Sequence, residues 1–87
     1  MPFVYILRLA DTRLYVGHTN NLRSRLEAHQ AGTAATYTAK RRPVEMIYAE
    51  EYPTESAAIK REKQLKRWSR RKKEALATKD LALLKVL

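Results

Sequence analysis

Two tyrosines, an arginine and a glutamate carry the side-chain chemistry of most consequence in this chain of 87 residues. Tyr5 and Tyr15 sit in two apolar, β-branched stretches, and Tyr15 opens the tripeptide Tyr15-Val16-Gly17. Arg25 follows, and Glu62 is the one acid of a long basic run. Phenols exchange protons, a guanidinium holds a phosphoryl group, and a carboxylate holds a divalent cation, so together they suit phosphodiester cleavage. They come from separate elements, whose order and register decide whether they meet.

Phe3 to Leu9 alternates apolar and β-branched residues, Ala10-Asp11-Thr12 reads as a tight turn, and Arg13 to His18 forms a second strand. A three-residue hairpin loop pairs Leu9 with Arg13, Leu7 with Tyr15 and Tyr5 with Gly17, which puts both phenols on one face. Gly17 has no side chain. It either leaves room beside the Tyr5 ring for a phosphate oxygen or a water, or marks a bend at the strand end.

Asn20 or Thr19 is expected to cap a helix that runs through Gln30 and stops at Gly32. Leu22, Arg25, Leu26 and His29 fall at i, i+3, i+4 and i+7, so Arg25 is expected half-buried and in need of an anion. His29 on the same stripe is either a packed core histidine or part of the site. The loop from Thr33 to Pro43 offers Thr33, Thr36, Tyr37 and Thr38, then Lys40, Arg41 and Arg42. That composition suits phosphate contacts or an ordinary solvated linker.

Val44 to Tyr52 reads as a third strand, central or paired to the hairpin, with Glu45, Glu50 and Glu51 exposed and Pro53 as its stop. Thr54 caps a helix from Glu55 to about Trp68, whose apolar face is Ala58, Ile59, Leu65 and Trp68. Glu62 lies three residues from both Ile59 and Leu65, inside that stripe, where an unpaired carboxylate is costly. An ion pair to Arg25 or a divalent metal can compensate it. Ser69 caps a third helix, Arg70 to Ala77, and Leu81, Leu84 and Val86 suggest a short amphipathic turn within a tail of residues 78–87. The expected fold is α+β: a small three-stranded antiparallel sheet flanked by helices, in the order β-β-α-β-α-α.

Chains of this size bury only about 60–65% of their unfolded surface, so residues 1–87 are expected to form one domain. No cysteine is present, which excludes a disulfide framework or a zinc knuckle. No stretch reaches a membrane span's length, and the amino terminus lacks a signal-peptide pattern, so a cytosolic protein is the expectation. The net charge of +9 is uneven: nine basic residues between Lys60 and Lys73, offset only by Glu62, carry nearly all of it. A single cationic surface points to a polyanion, above all a nucleic acid, ahead of an anionic membrane or a merely solvated helix face.

In order and spacing, Val4-Tyr5, Tyr15-Val16-Gly17, Arg25 and Glu62 resemble the GIY-YIG nuclease superfamily. Tyr5-Ile6-Leu7, Leu14-Tyr15-Val16-Gly17, Arg25-Leu26-Glu27-Ala28-His29, Arg41-Arg42-Pro43-Val44 and Lys60-Arg61-Glu62 look like its small stand-alone UPF0213, or YhbQ-like, branch. Phe3 stands where the superfamily has a glycine, His18 where several members have lysine, and no asparagine occurs after Asn21. The resemblance implies a metal-dependent endonuclease acting on DNA, in repair or processing. Tyr5 would then be the general base, its pKa lowered by nearby cations, with Tyr15 beside it and the reverse assignment open. Arg25 would clamp the phosphate, and Glu62 would hold a single Mg²⁺ or Mn²⁺. His29 would orient the phosphate or protonate the leaving group. Gly17, His18, Lys40, Arg41, Arg42, Lys66, Arg70, Arg71, Lys72 and Lys73 would contact substrate. A nucleic-acid-binding module without turnover is the main alternative, and a small subunit docking through its C-terminal leucines is a third.

Overall fold

The computed structural model describes residues 1–78. The expected turn at Leu81, Leu84 and Val86 lies outside them. Strands β1 (Phe3–Arg8) and β2 (Leu14–Thr19) form the hairpin, followed by α1 (Leu22–Ala31), a short α2 (Thr36–Ala39), β3 (Glu45–Glu51), α3 (Glu55–Lys66) and α4 (Arg70–Thr78). The expected order holds, with α2 added inside the segment expected to be a loop.

Hairpin register follows the turn length. Leu7 pairs with Tyr15 and Tyr5 with Gly17, and the Leu9 N–H donates to the Arg13 carbonyl at 2.8 Å. Thr12 takes the left-handed conformation (φ 71°) that closes a three-residue hairpin loop, and Asp11 Oδ1 accepts from the Arg13 N–H. Sheet order is β2-β1-β3, so β1 is central and β3 is an edge strand. The β1–β3 register shifts between Ile6 and Leu7, which pair with Tyr48 and Met46 and leave Ile47 as the extra residue of a bulge.

Two small cores result, one on each side of the sheet. Tyr5, Leu7, Leu9 and Val44 pack with Leu22, Leu26 and Met46 beneath α1. Val4, Ile6 and Val16 meet Ala58 and Leu65 of α3, with Ile47, Trp68 and Leu76 around them. Helix starts and stops come from local chemistry. Asn21, one residue beyond the expected cap, accepts from the Ser24 N–H, because Thr19 is occupied with the Asn21 backbone. Gly32 ends α1 at φ 81°, and Thr54 and Ser69 each accept an N–H from the next helix's first turn. Arg8 ties α4 back to β1 through Glu74 at 2.9 Å.

Candidate active site

Alternation along β1 and β2 turns Tyr5 and Tyr15 toward α1, with ring centroids 6.5 Å apart. His29 arrives from the last turn of α1, its ring 5.7 Å from Tyr5 and 5.3 Å from Tyr15. Both Tyr5 (1% exposed) and His29 (0%) are buried, so their polar atoms need internal partners. They find each other. The Tyr5 hydroxyl lies 2.8 Å from His29 Nε2, and His29 Nδ1 lies 2.8 Å from Thr38 Oγ1.

Directions in this chain follow from its far end. The Thr38 hydroxyl donates to the Ala35 carbonyl, so its oxygen is left to accept from His29 Nδ1–H. A neutral His29 protonated at Nδ1 presents a bare Nε2, and Tyr5 donates to it. Burial, then the charge of Arg25, pushes the His29 pKa below its ordinary 6.5, which keeps that lone pair free at neutral pH. Thr38, expected among the phosphate-contacting hydroxyls of a loop, is instead buried by the short helix α2 at the base of the site.

Burial also lifts the Tyr5 phenol to about 12, reinforced by Tyr15 and Glu62 and opposed by Arg25. The expected lowering of its pKa is therefore reversed, because loss of hydration outweighs one neighbouring cation. Gly17 explains part of that burial. A Cβ on Gly17 would lie 2.5 Å from the Tyr5 oxygen and 2.6 Å from Cζ, so the tyrosine ring itself fills the space expected for a phosphate oxygen or water.

Arg25 is exposed rather than half-buried: the face of the ten-residue α1 that covers the sheet is made by Leu22, Leu26 and His29. It makes no ion pair with Glu62. Glu62, half-buried on α3, meets His18 instead, with His18 Nδ1–H donating to Oε1 at 2.5 Å while Lys66 Nζ lies 2.8 Å from Oε2. Burial raises the Glu62 pKa, but Lys66 and His18 outweigh it and hold the carboxyl below its usual range. His18 is one residue from Gly17 and faces the α3 side. The candidate site thus wraps the free edge of β2, with tyrosines, His29 and Arg25 on one side and Glu62 on the other. Gly17 is the thin point between them.

The other expected contacts divide. Arg41 is spent on Asp11 Oδ2 (3.0 Å), the Tyr37 carbonyl and the Tyr37 ring, 4.1 Å from its centroid. Arg42 donates to the Ala39 and Gln30 carbonyls, and Lys72 covers the Trp68 ring at 4.2 Å. Lys40, Arg70 and Arg71 are exposed, and Lys73 is half-buried. Tyr37, 41% exposed and stacked on Tyr15, is an aromatic at the rim that spacing alone does not single out. Glu50 is not a free surface acid: it accepts from Tyr48, Tyr52 and Arg61.

A metal fits only as a guest of one carboxylate. No cluster of three or more His, Cys, Asp or Glu side chains occurs among the described residues, so Glu62 alone would hold a Mg²⁺ that keeps its waters and takes phosphate oxygens. Lys66, more than half exposed, is the counter-ion it would displace.

The profile of the GIY-YIG catalytic domain matches residues 1–75. The chain belongs to the GIY-YIG family. Within it the relatives are UPF0213 proteins, whose names specify no activity. A Natronomonas pharaonis member is 44% identical over 78 residues, covering 90% of this chain and 92% of that protein. A Staphylococcus aureus member is 45% identical over 71 residues, covering 82% and 87%. The solution NMR structure of the Bacillus halodurans UPF0213 protein superposes with a TM-score of 0.57 at 35% identity, covering 90% of this chain and 84% of that one. GIY-YIG membership points to the nuclease superfamily and to nucleic acid as its partner class. No helix among the described residues is long and apolar enough to cross a membrane.

Acid should loosen this site. The unfolded chain binds protons more readily than the folded one at His29, Glu50 and Glu62, so stability rises with pH at all three. The His29 contribution is complete above about 6.5 and is lost as pH falls toward its lower folded value, and the carboxylates follow below about 4.5. Thermal midpoints should be level between about pH 7 and 9 and decline below that range. A His29→Gln variant, less stable throughout, should lose the upper part of that decline; an unchanged decline would place its origin elsewhere.

Proposed function

We propose that this protein is a metal-dependent endonuclease of DNA in which His29, acting through Tyr5, takes the proton of the attacking water. The observation that carries it is the single-direction hydrogen-bond line from Tyr5 through His29 to Thr38, beneath an exposed arginine. A phenol held near 12 is a poor base by itself, but it passes a proton. As water binds its oxygen, the Tyr5 O–H proton moves to Nε2, the water O–H proton replaces it, and hydroxide forms the new P–O bond. The old P–O bond breaks, and the departing alkoxide takes a proton from solvent at the open edge of β2. Arg25 neutralises the charge growing on the phosphoryl oxygens. Arg25, the cation whose charge acts on the Tyr5 hydroxyl, would move onto an incoming phosphate and open the way to that oxygen. Glu62, released by Lys66, would hold the divalent ion, which supplies further charge neutralisation at the phosphoryl group. Cellular DNA repair or processing is the setting that suits this chemistry.

Supercoiled and branched DNA with Mg²⁺ or Mn²⁺ tests this. Arg25→Ala and Glu62→Gln should each slow nicking by about 100-fold or more while DNA binding persists. Equal background cleavage in every variant would leave a binding module without turnover, which the burial of Tyr5 favours. Binding itself rests on charge. Replacing the exposed Arg70 and Arg71 with alanine should reduce the slope of log affinity against log salt by about 0.9 for each phosphate no longer neutralised, and an unchanged slope would move the interface off α4.

A further inference from the structure

On the far side of α3 from Glu62 lies a groove of about 740 Å³ that the proposed chemistry does not use. Ala57, Arg61, Gln64 and Trp68 recur at helical spacing along it, and Tyr52 closes it from the end of β3. Successive helix residues turn by about 100°, so Glu62 points to the His18 side while Arg61 faces the groove. Tyr52, Ala57 and Trp68 make an apolar floor. Lys60, Lys63 and Arg67 stand exposed at the rim and form no ion pair among the described residues.

The floor is held rigidly. Glu50 accepts from Tyr52 Oη at 2.7 Å, from Arg61 Nε at 2.6 Å and from Tyr48 Oη, and Arg61 also donates to Gln64 Oε1 at 2.7 Å. Burial opposes the Glu50 charge, yet these donors hold its carboxyl below its usual range, so the network stays ionised and fixed. The Arg61 guanidinium lies 5.1 Å from the Trp68 ring centre. An apolar floor beside fixed aromatic and guanidinium groups, bordered by unpaired cations and with Lys72 Nζ 4.2 Å from the Trp68 ring as the group a base would displace, is complementary to a flat uncharged ring carrying flanking phosphates.

We propose that this groove receives an unstacked base of single-stranded DNA, with its phosphates on Lys60, Lys63 and Arg67. The assignment rests on the nucleic-acid reading above and deepens it: a strand gripped there, with duplex at the β2 edge, directs the enzyme to frayed or flapped DNA rather than to a sequence. Fully paired duplex presents no base to the slot.

Trp68 is the chain's single tryptophan, so its fluorescence reports on this groove directly. In EDTA, where cleavage is stopped, a thymidine octamer should quench Trp68 saturably, whereas inorganic polyphosphate should bind with little quenching. Ala57→Arg fills the slot while adding a cation, so loss of binding in it is not loss of charge. It should weaken octamer binding by about five-fold or more and leave duplex binding unchanged. A Lys60→Ala/Lys63→Ala variant, both sites exposed, should weaken octamer binding more than duplex binding. Unaltered octamer affinity in Ala57→Arg, equal quenching by polyphosphate, or a response only to anionic phospholipid vesicles would each overturn the groove assignment. Octamer binding without quenching would overturn it and leave DNA binding intact. Failure of octamer and duplex alike to bind would overturn the nucleic-acid reading itself.

Discussion

Tyr5→Phe should lower DNA cleavage by about 100-fold or more, the usual scale for loss of a positioned proton-transfer group. The substitution is narrow. The ring keeps its place against Gly17 and Tyr15, and only the oxygen facing His29 Nε2 disappears. Buried Nε2 is then left without a donor, which costs about 1–3 kcal/mol of stability. A variant that unfolds is easily told from one that merely fails to cleave. Thr38→Val provides the graded control, since it removes the group that keeps the His29 proton on Nδ1. It should slow cleavage less than Tyr5→Phe. Dependence on pH then identifies the base. If His29 accepts the proton, kcat/KM is level from the ordinary histidine value of 6.5 to about 9 and falls only at lower pH, once the depressed His29 pKa is crossed and protonated Nε2 no longer accepts. If a Tyr5 phenolate attacked water directly, its pKa near 12 would make the rate climb about tenfold per pH unit across that range. Full activity in Tyr5→Phe with loss in the half-buried Tyr15→Phe would transfer the role to Tyr15.

What could be read from the sequence was whatever local spacing determines. The hairpin register follows from a period of two and a three-residue loop, so the Tyr5–Gly17 pairing was legible before any tertiary contact. Gly32, Thr54 and Ser69 likewise act through their own neighbours. Partners across elements were not legible. Periodicity puts Glu62 and Arg25 on core-facing stripes and so offers Arg25, or a divalent metal, as the partner of Glu62. The twofold alternation that carries Tyr5 to one side of the sheet carries His18 to the other, and the acid met that histidine first. The same alternation places Tyr48 and Glu50 on one face of β3 and Tyr52, just past its end, in line with them, a signal present in the sequence that marked Glu50 as partnered. Burial of Tyr5 was beyond reach from spacing. It depends on Leu22, Leu26 and His29 of α1 packing over the ring, while the Thr38 that seats His29 comes from a four-residue helix with almost no periodic trace.

Gly17→Ala should be the second severe substitution, for a reason of space alone. The added methyl would meet three atoms of the Tyr5 side chain at 2.5, 2.6 and 3.1 Å, the first two closer than real Cβ contacts come. Flexible surface side chains would yield, but this ring is buried, packed in the α1-side core and fixed by His29. Overpacking of this kind costs about 1–3 kcal/mol, and relieving it swings the hydroxyl off Nε2, so stability and cleavage should fall together. A double-mutant cycle isolates the contact. In a Tyr5→Leu background the ring is gone, and Gly17→Ala should cost markedly less in urea denaturation than it does in the native chain. Equal costs in both backgrounds would mean that the β2 edge itself, rather than the tyrosine lying on it, requires glycine. The ring's seat against Gly17 would then play no part in holding the hydroxyl on His29.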